Sequence, residues 1–137
     1  MSDRLRKTIL AAAAGGLLFV PALEAKTKGS GEEYLAKLLE GREAGEPKRC
    51  ISTFGSNNLR IIDKTAIVYE DGRTIWVNRT RDPASLDDDD ILVIRRYGSD
   101  LCRLDNVRAV GRSTGMFRAQ VLLEDFVPYR KPAKTGD

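Results

Sequence analysis

One stretch of the chain matches a catalytic pattern outright. Gly111-Arg112-Ser113-Thr114-Gly115 is a Gly-x-Ser-x-Gly, the form of a hydrolase nucleophile elbow, and a strand is expected just before it. The elbow needs a histidine to take the serine proton, and the 137 residues contain none. Only 22 residues follow Gly115, little room for an acid and a base. A Ser-Lys dyad would have to recruit Lys131 or Lys134, and no Ser-x-x-Lys occurs anywhere in the chain. The expectation for Ser113 is therefore a tight turn between strands.

Asp87-Asp88-Asp89-Asp90 raises calcium chemistry, because hard cations gather carboxylate oxygens. The run fails as an EF-hand: Leu92 stands where the loop needs glycine, and no glutamate follows at the ligating distance. It is expected to be a solvated loop, with weak binding of calcium or a cationic partner as the alternative. Without histidine, and with two cysteines, transition metals lack their usual ligands. General acid and base work would fall to carboxylates such as Asp100 with Asp105, or Glu124 with Asp125, which read as surface charges. There is no Gly-Lys-Ser/Thr phosphate loop and no dinucleotide fingerprint, so no cofactor is expected.

Trp76 near Arg73 and Arg79, with Arg95 and Arg96 on another strand, could form an aromatic and arginine surface for an anionic glycan or lipid headgroup. Core packing for Trp76 and salt bridges for the arginines are the favoured expectation, with the ligand surface as the alternative. Asn78-Arg79-Thr80 is an N-glycosylation sequon by pattern only. Cys50 and Cys102 are expected to pair as a disulfide in an oxidising compartment, with two buried free thiols as the alternative. The absence of Cys-x-x-Cys leaves a thioredoxin-type role unsupported.

Ser30 and Glu33 form a capping box that starts a helix. Tyr34, Leu35, Leu38 and Leu39 give it one apolar face, expected against the domain's own sheet, and Glu33 and Lys37 form an i,i+4 pair. Gly41, Gly45 and Pro47 mark its end. From Cys50 the pattern becomes β: Leu59–Ile62, Thr65–Glu70, Arg73–Asn78, Ile91–Ile94, Val107–Val110 and Phe117–Leu123. Asp71-Gly72 predicts a type I′ hairpin pairing Glu70 with Arg73, Tyr69 with Thr74, Val68 with Ile75 and Ile67 with Trp76. Ile67, Tyr69 and Trp76 then share one face, and Ala66, Val68, Ile75 and Val77 the other. Five to six strands with one N-terminal amphipathic helix predict a mainly β (α+β) domain, a small antiparallel sheet or curled barrel.

Met1–Ala25 has the build of a signal peptide: basic Arg4, Arg6 and Lys7, an uncharged Thr8–Val20, and cleavage after Ala22 or Ala25. The apolar stretch falls short of the roughly 20 residues that cross a bilayer, so no transmembrane span is expected in the mature protein. Removing these residues takes away three basic and two acidic groups and leaves 20 basic against 18 acidic residues, interspersed along the chain. That balance does not point to nucleic acid. Residues 26–49 are expected to be a lead and the helix, residues 50–130 one β domain, and residues 131–137 a frayed tail.

Cys50-Ile51-Ser52, Arg60-Ile61-Ile62-Asp63, Thr65–Tyr69, Val77-Asn78-Arg79, Asp88–Val93, Leu101-Cys102 and Asp125–Arg130 resemble segments of uncharacterised exported proteins of alphaproteobacteria, a group similar to the DUF6491 family of domains of unknown function. Some members of that family carry two further cysteines; here Ala84-Ser85 and Ser113 stand in those regions. The resemblance implies export and a compact envelope domain, with no implied reaction. The expected function is a non-enzymatic periplasmic or secreted domain that binds an envelope partner or ligand. The alternative is an enzyme of unfamiliar type using carboxylates, arginines or Ser113.

Overall fold

Ser30 is the helix cap it resembles in sequence: its Oγ accepts a hydrogen bond from the Glu33 amide at 3.3 Å. Helix α1 (Gly31–Leu38) follows, with Glu32 and Glu33 in its first turn and Lys37 in its last, charges that complement the helix dipole. It ends before Gly41, whose φ of 69° reverses the chain. The computed structural model describes residues 30–53 and 58–133. The expected signal peptide, the lead at Lys26–Gly29 and Lys134 lie outside these residues.

Apart from a 3-10 turn at Pro83–Ser85, the other elements among the described residues are antiparallel strands: β1 (Glu43–Ala44), β2 (Cys50–Ser52), β3 (Leu59–Ile62), β4 (Ala66–Asp71), β5 (Thr74–Asn78), β6 (Asp90–Arg95), β7 (Asp100–Cys102), β8 (Asn106–Gly111), β9 (Phe117–Val121) and β10 (Val127–Arg130). These form a five-stranded sheet in the order β1-β10-β5-β4-β3, a three-stranded sheet β6-β8-β9 and a ribbon β2-β7. No barrel closes among the described residues. Every strand read from β-branched runs is present. The additional strands β1, β2, β7 and β10 are two to four residues long and too short to show a period, so pairing defines them rather than pattern.

The β4–β5 hairpin departs from its expected register. Tyr69 pairs with Trp76, Val68 with Val77 and Asp71 with Thr74, so Gly72-Arg73 is the loop. Gly72 has φ 54° and neither neighbour is positive. A type I′ turn would have forced Asp71 into the left-handed region, which costs a non-glycine residue about 1–2 kcal/mol. With glycine in the first central position only a residue without Cβ carries the positive φ. Moving the turn by one residue displaces each cross-strand partner by two. The facing preference, which has period two, is therefore unchanged.

Both faces of the large sheet are covered. On one, Ile67, Tyr69 and Trp76 pack with Ile51, Leu101, Val107, Ala109, Val121, Leu123 and Phe126, joining the inner faces of all three sheets. On the other, Ala66, Val68, Ile75 and Val77 receive Leu35, with Leu38 and Leu39 alongside. Leu35 is fully buried, worth about 1.5–3 kcal/mol. Tyr34 departs from the apolar face: it is half exposed, with the Arg60 guanidinium 5.9 Å from its ring centroid. The helix approaches the sheet closely at Gly31, where a Cβ would stand 2.1 Å from Thr65 Oγ1 and 2.3 Å from the Asp63 carbonyl.

Cys50 and Cys102 are direct partners across β2-β7, with sulfurs 2.11 Å apart, the separation of a disulfide. A two-stranded ribbon has little stability alone. Here the cross-link at its end is joined by a 2.8 Å hydrogen bond from the Cys102 amide to Asp105 Oδ2. Ile51 and Leu101 bury the ribbon's inner face.

Candidate binding face

The three-stranded sheet has a covered inner face and, among the described residues, an outer face with nothing packed on it. Alternation along each strand places Leu92 and Ile94, Val107 and Ala109, and Ala119 and Val121 inward, where they join the core. Their neighbours point outward, and the register sorts them into rows. Ile91, Val110 and Phe117 are cross-strand partners in one row, Val93, Arg108 and Gln120 in the next, and Arg95 and Asn106 in a third. Ile91 and Val93 are about two-fifths exposed, Phe117 is 61% exposed, and Met116 beside it is 67% exposed. One end of the face is thus apolar and the other polar and cationic. Arg95, Asn106, Arg108 and Gln120 line a depression of about 290 Å³ at the polar end. Gln120 is fixed there by a 2.9 Å hydrogen bond from its Nε2 to the Val107 carbonyl.

Arg60, Arg79, Arg81, Arg103, Arg112 and Arg118 each have a carboxylate partner. Arg95 and Arg108 have none among the described residues. They are diagonal neighbours across β6 and β8, a separation of about 7–8 Å that long side chains bridge. Two like charges in one depression are a natural seat for an oxyanion, which the planar guanidinium fork matches.

The arginine and aromatic residues expected from the sequence are distributed differently. Trp76 is 7% exposed in the main core, with Lys48 Nζ 5.7 Å from its ring centroid. Arg79 lies on the helix side and grips Glu32 in a two-pronged pair at 2.5 and 3.0 Å. That hydrogen bond, opposed by partial desolvation and reinforced by the arginine's charge, holds the Glu32 carboxyl below its ordinary range, and Glu32 raises Arg79 in turn. Arg73 sits in the hairpin loop, where its carbonyl accepts from Arg42 Nη1 at 2.7 Å. Arg96 bonds Thr53 Oγ1 and the Ser99 carbonyl. Of the five, Arg95 lines the depression. Arg108, Asn106 and Gln120 were missed in the sequence, although the outward alternation of Arg108 with Val110 was a readable signal; the register joining them to Arg95 was not.

Ser113 occupies the exposed β8–β9 turn, closed by a 2.7 Å hydrogen bond from the Gly115 amide to the Gly111 carbonyl. The turn joins strand to strand, whereas a nucleophile elbow joins strand to helix. Two aspartates of the acidic run are tied to Arg118, which a bulge in β9 releases from the regular ladder. Its Nη2 meets Asp87 at 3.2 Å and its Nε meets the buried Asp90 at 3.5 Å. Asp89 pairs with Arg112 at 3.5 Å. Asp63 in the β3–β4 turn and Asp87 and Asp88 in the segment before β6 bring carboxylate oxygens within 4.8 Å of one another, an acidic cluster where the two loops meet. Asp105, Glu124 and Asp125 serve a backbone amide, Arg81 and Arg103.

Asn78 has no exposed surface: its Nδ2 donates to the Glu124 carbonyl at 2.6 Å and its Oδ1 accepts from the Glu124 amide at 3.0 Å. The sequon therefore presents no accessible amide. No helix among the described residues is long and apolar enough to cross a membrane. No protein-family model, curated protein or solved structure matches this chain.

Proposed function

We propose that this chain is an exported, non-enzymatic envelope domain that binds a partner or ligand through the outer face of β6-β8-β9. The observation that carries the reading is that face itself. Two arginines without carboxylate partners among the described residues share a depression, beside an exposed apolar row on a sheet whose other side is locked in the core. The strand backbones fix where the outward residues stand, so binding needs little backbone reorganisation. The disulfide supports the export part, since such cross-links persist in oxidising compartments. The resemblance to exported proteins similar to the DUF6491 family points the same way. Ser113, in an exposed strand-to-strand turn, offers the hydrolase alternative less support.

Two measurements test the reading. The intact mass of the chain recovered from the periplasm of its bacterial host should begin at Leu23 or Lys26, with two thiols alkylated only after reduction. A photo-crosslinking residue at Val93 should form an adduct in living cells, and one at Asp71, on the hairpin of the other sheet, should not. A full-length cytoplasmic chain with two free thiols overturns export. No adduct at Val93 overturns the binding face.

A further inference from the structure

We propose that β6 is a pairing edge, to which a second copy of this chain adds its own β6 in an antiparallel, two-fold contact. The outermost strand of a sheet presents unpaired N–H and C=O groups that invite another strand, and natural edges are blunted against it. Here β1 is two residues long, β3 is four with Arg60 within it, and β9 carries the bulge at Arg118. β6 has none of these devices. It runs unbroken through six consecutive pairs with β8, and Ile91-Leu92-Val93-Ile94 contains no charge, proline or glycine. Alternate residues turn their backbone groups away from β8. Along β6, among the described residues, the Asp90 amide alone finds a backbone partner outside that pairing, the Asp87 carbonyl at 3.1 Å.

The charge order along the strand selects the occupant. Asp87-Asp88-Asp89-Asp90 leads into four apolar residues, and Arg95-Arg96 follows, so the segment is acidic at one end and basic at the other. A parallel copy would set like charge on like. An antiparallel copy brings the acidic end of each chain to the basic end of the other, twice about one axis, so the contact closes at two chains. With the axis at Val93, Leu92 faces Ile94 of the second copy on the core side. On the outer side Val93 faces its counterpart, and Ile91 faces Arg95 of the second copy. That Arg95 is then diagonal to Asp89, within reach of its long side chain. Asp89 meets Arg112 at 3.5 Å, yet its side chain is 78% exposed and accessible to a second cation. Arg95 thereby gains the carboxylate it lacks among the described residues of its own chain. An axis at Leu92 would instead set the charged Asp90 against Ile94. Pairing lies in the plane of the sheet and leaves the outer face open, so it stands or falls apart from the binding proposed there.

Analytical ultracentrifugation of the chain recovered from the periplasm tests the contact. The mass should move reversibly from one chain to two as concentration rises, and dimerisation should weaken as salt rises. Val93→Lys sets two lysines face to face at the axis and should weaken it about tenfold or more. R95D sets like charges together at both ends and should weaken it about tenfold, whereas D89R/R95D exchanges them and should recover to within about threefold of the parent. R73D, in the hairpin loop of the other sheet, should change it by less than about twofold. Thermal melts matching the parent verify that the variants fold. A chain that stays monomeric to about 1 mM overturns the inference. So do a dimer indifferent to Val93→Lys, an assembly that grows beyond two chains, and a D89R/R95D chain no better paired than R95D. In the photo-crosslinking test, a Val93 adduct to the chain itself reports this edge, and one to another molecule reports the face.

Discussion

Removing the Cys50–Cys102 cross-link should cost this domain much of its stability. The two residues are 52 apart in sequence. In the chain-entropy model a loop of that size restricts the unfolded ensemble by about 4 kcal/mol. Domains of this size have about 5–15 kcal/mol in total. Cys50 is exposed and Cys102 half-buried, so the double variant Cys50→Ala/Cys102→Ala opens little cavity, and the loss reports the cross-link rather than lost packing. At about 4–8 °C per kcal/mol for a domain near 100 residues, the melting temperature should fall by about 15–30 °C. Calorimetry of both proteins, with urea titrations alongside, measures this. The urea slope should rise in the variant, because its unfolded chain exposes more surface. Wild type with reductant should approach the variant. A fall below about 5 °C would refute the reasoning and show that the ribbon is held by Ile51 and Leu101 alone.

Three further outcomes follow from single contacts. Asn78→Ala leaves the Glu124 amide and carbonyl without their partner and should cost about 2–6 kcal/mol by chemical denaturation, at about 1–3 kcal/mol for each unsatisfied group. Gly31→Ala drives a methyl into Thr65 Oγ1 and the Asp63 backbone, so the start of α1 must move, and amide exchange should accelerate at Leu35 before it does in β4. The Glu32–Arg79 pair holds the Glu32 carboxyl low in the folded state, so its contribution is present above the unfolded carboxyl range and is lost as pH falls through the lowered folded value. Both side chains are more than half exposed, so Glu32→Gln should cost under about 1 kcal/mol at pH 7 and nothing at acid pH, read from paired urea midpoints.

The sequence by itself determined the local choices. Ser30 with Glu33 set the helix start, the β-branched runs set the longer strands, and period two set which of their side chains point inward, even where the hairpin turn moved by a residue. The short strands were invisible, because Glu43–Ala44 or Asp100–Cys102 become strands only when β10 or β2 lies beside them. Trp76 was expected in the core, with a ligand platform as the alternative, and its burial between the sheets agrees with the core reading. The arginine depression belongs to the tertiary structure. Arg95 and Arg108 are 13 positions apart with the β7 excursion between them, and no local preference specifies that β6 pairs with β8. That register follows from burying Leu92, Ile94, Val107 and Ala109 together, which leaves Arg95 and Arg108 as diagonal neighbours on the outer face.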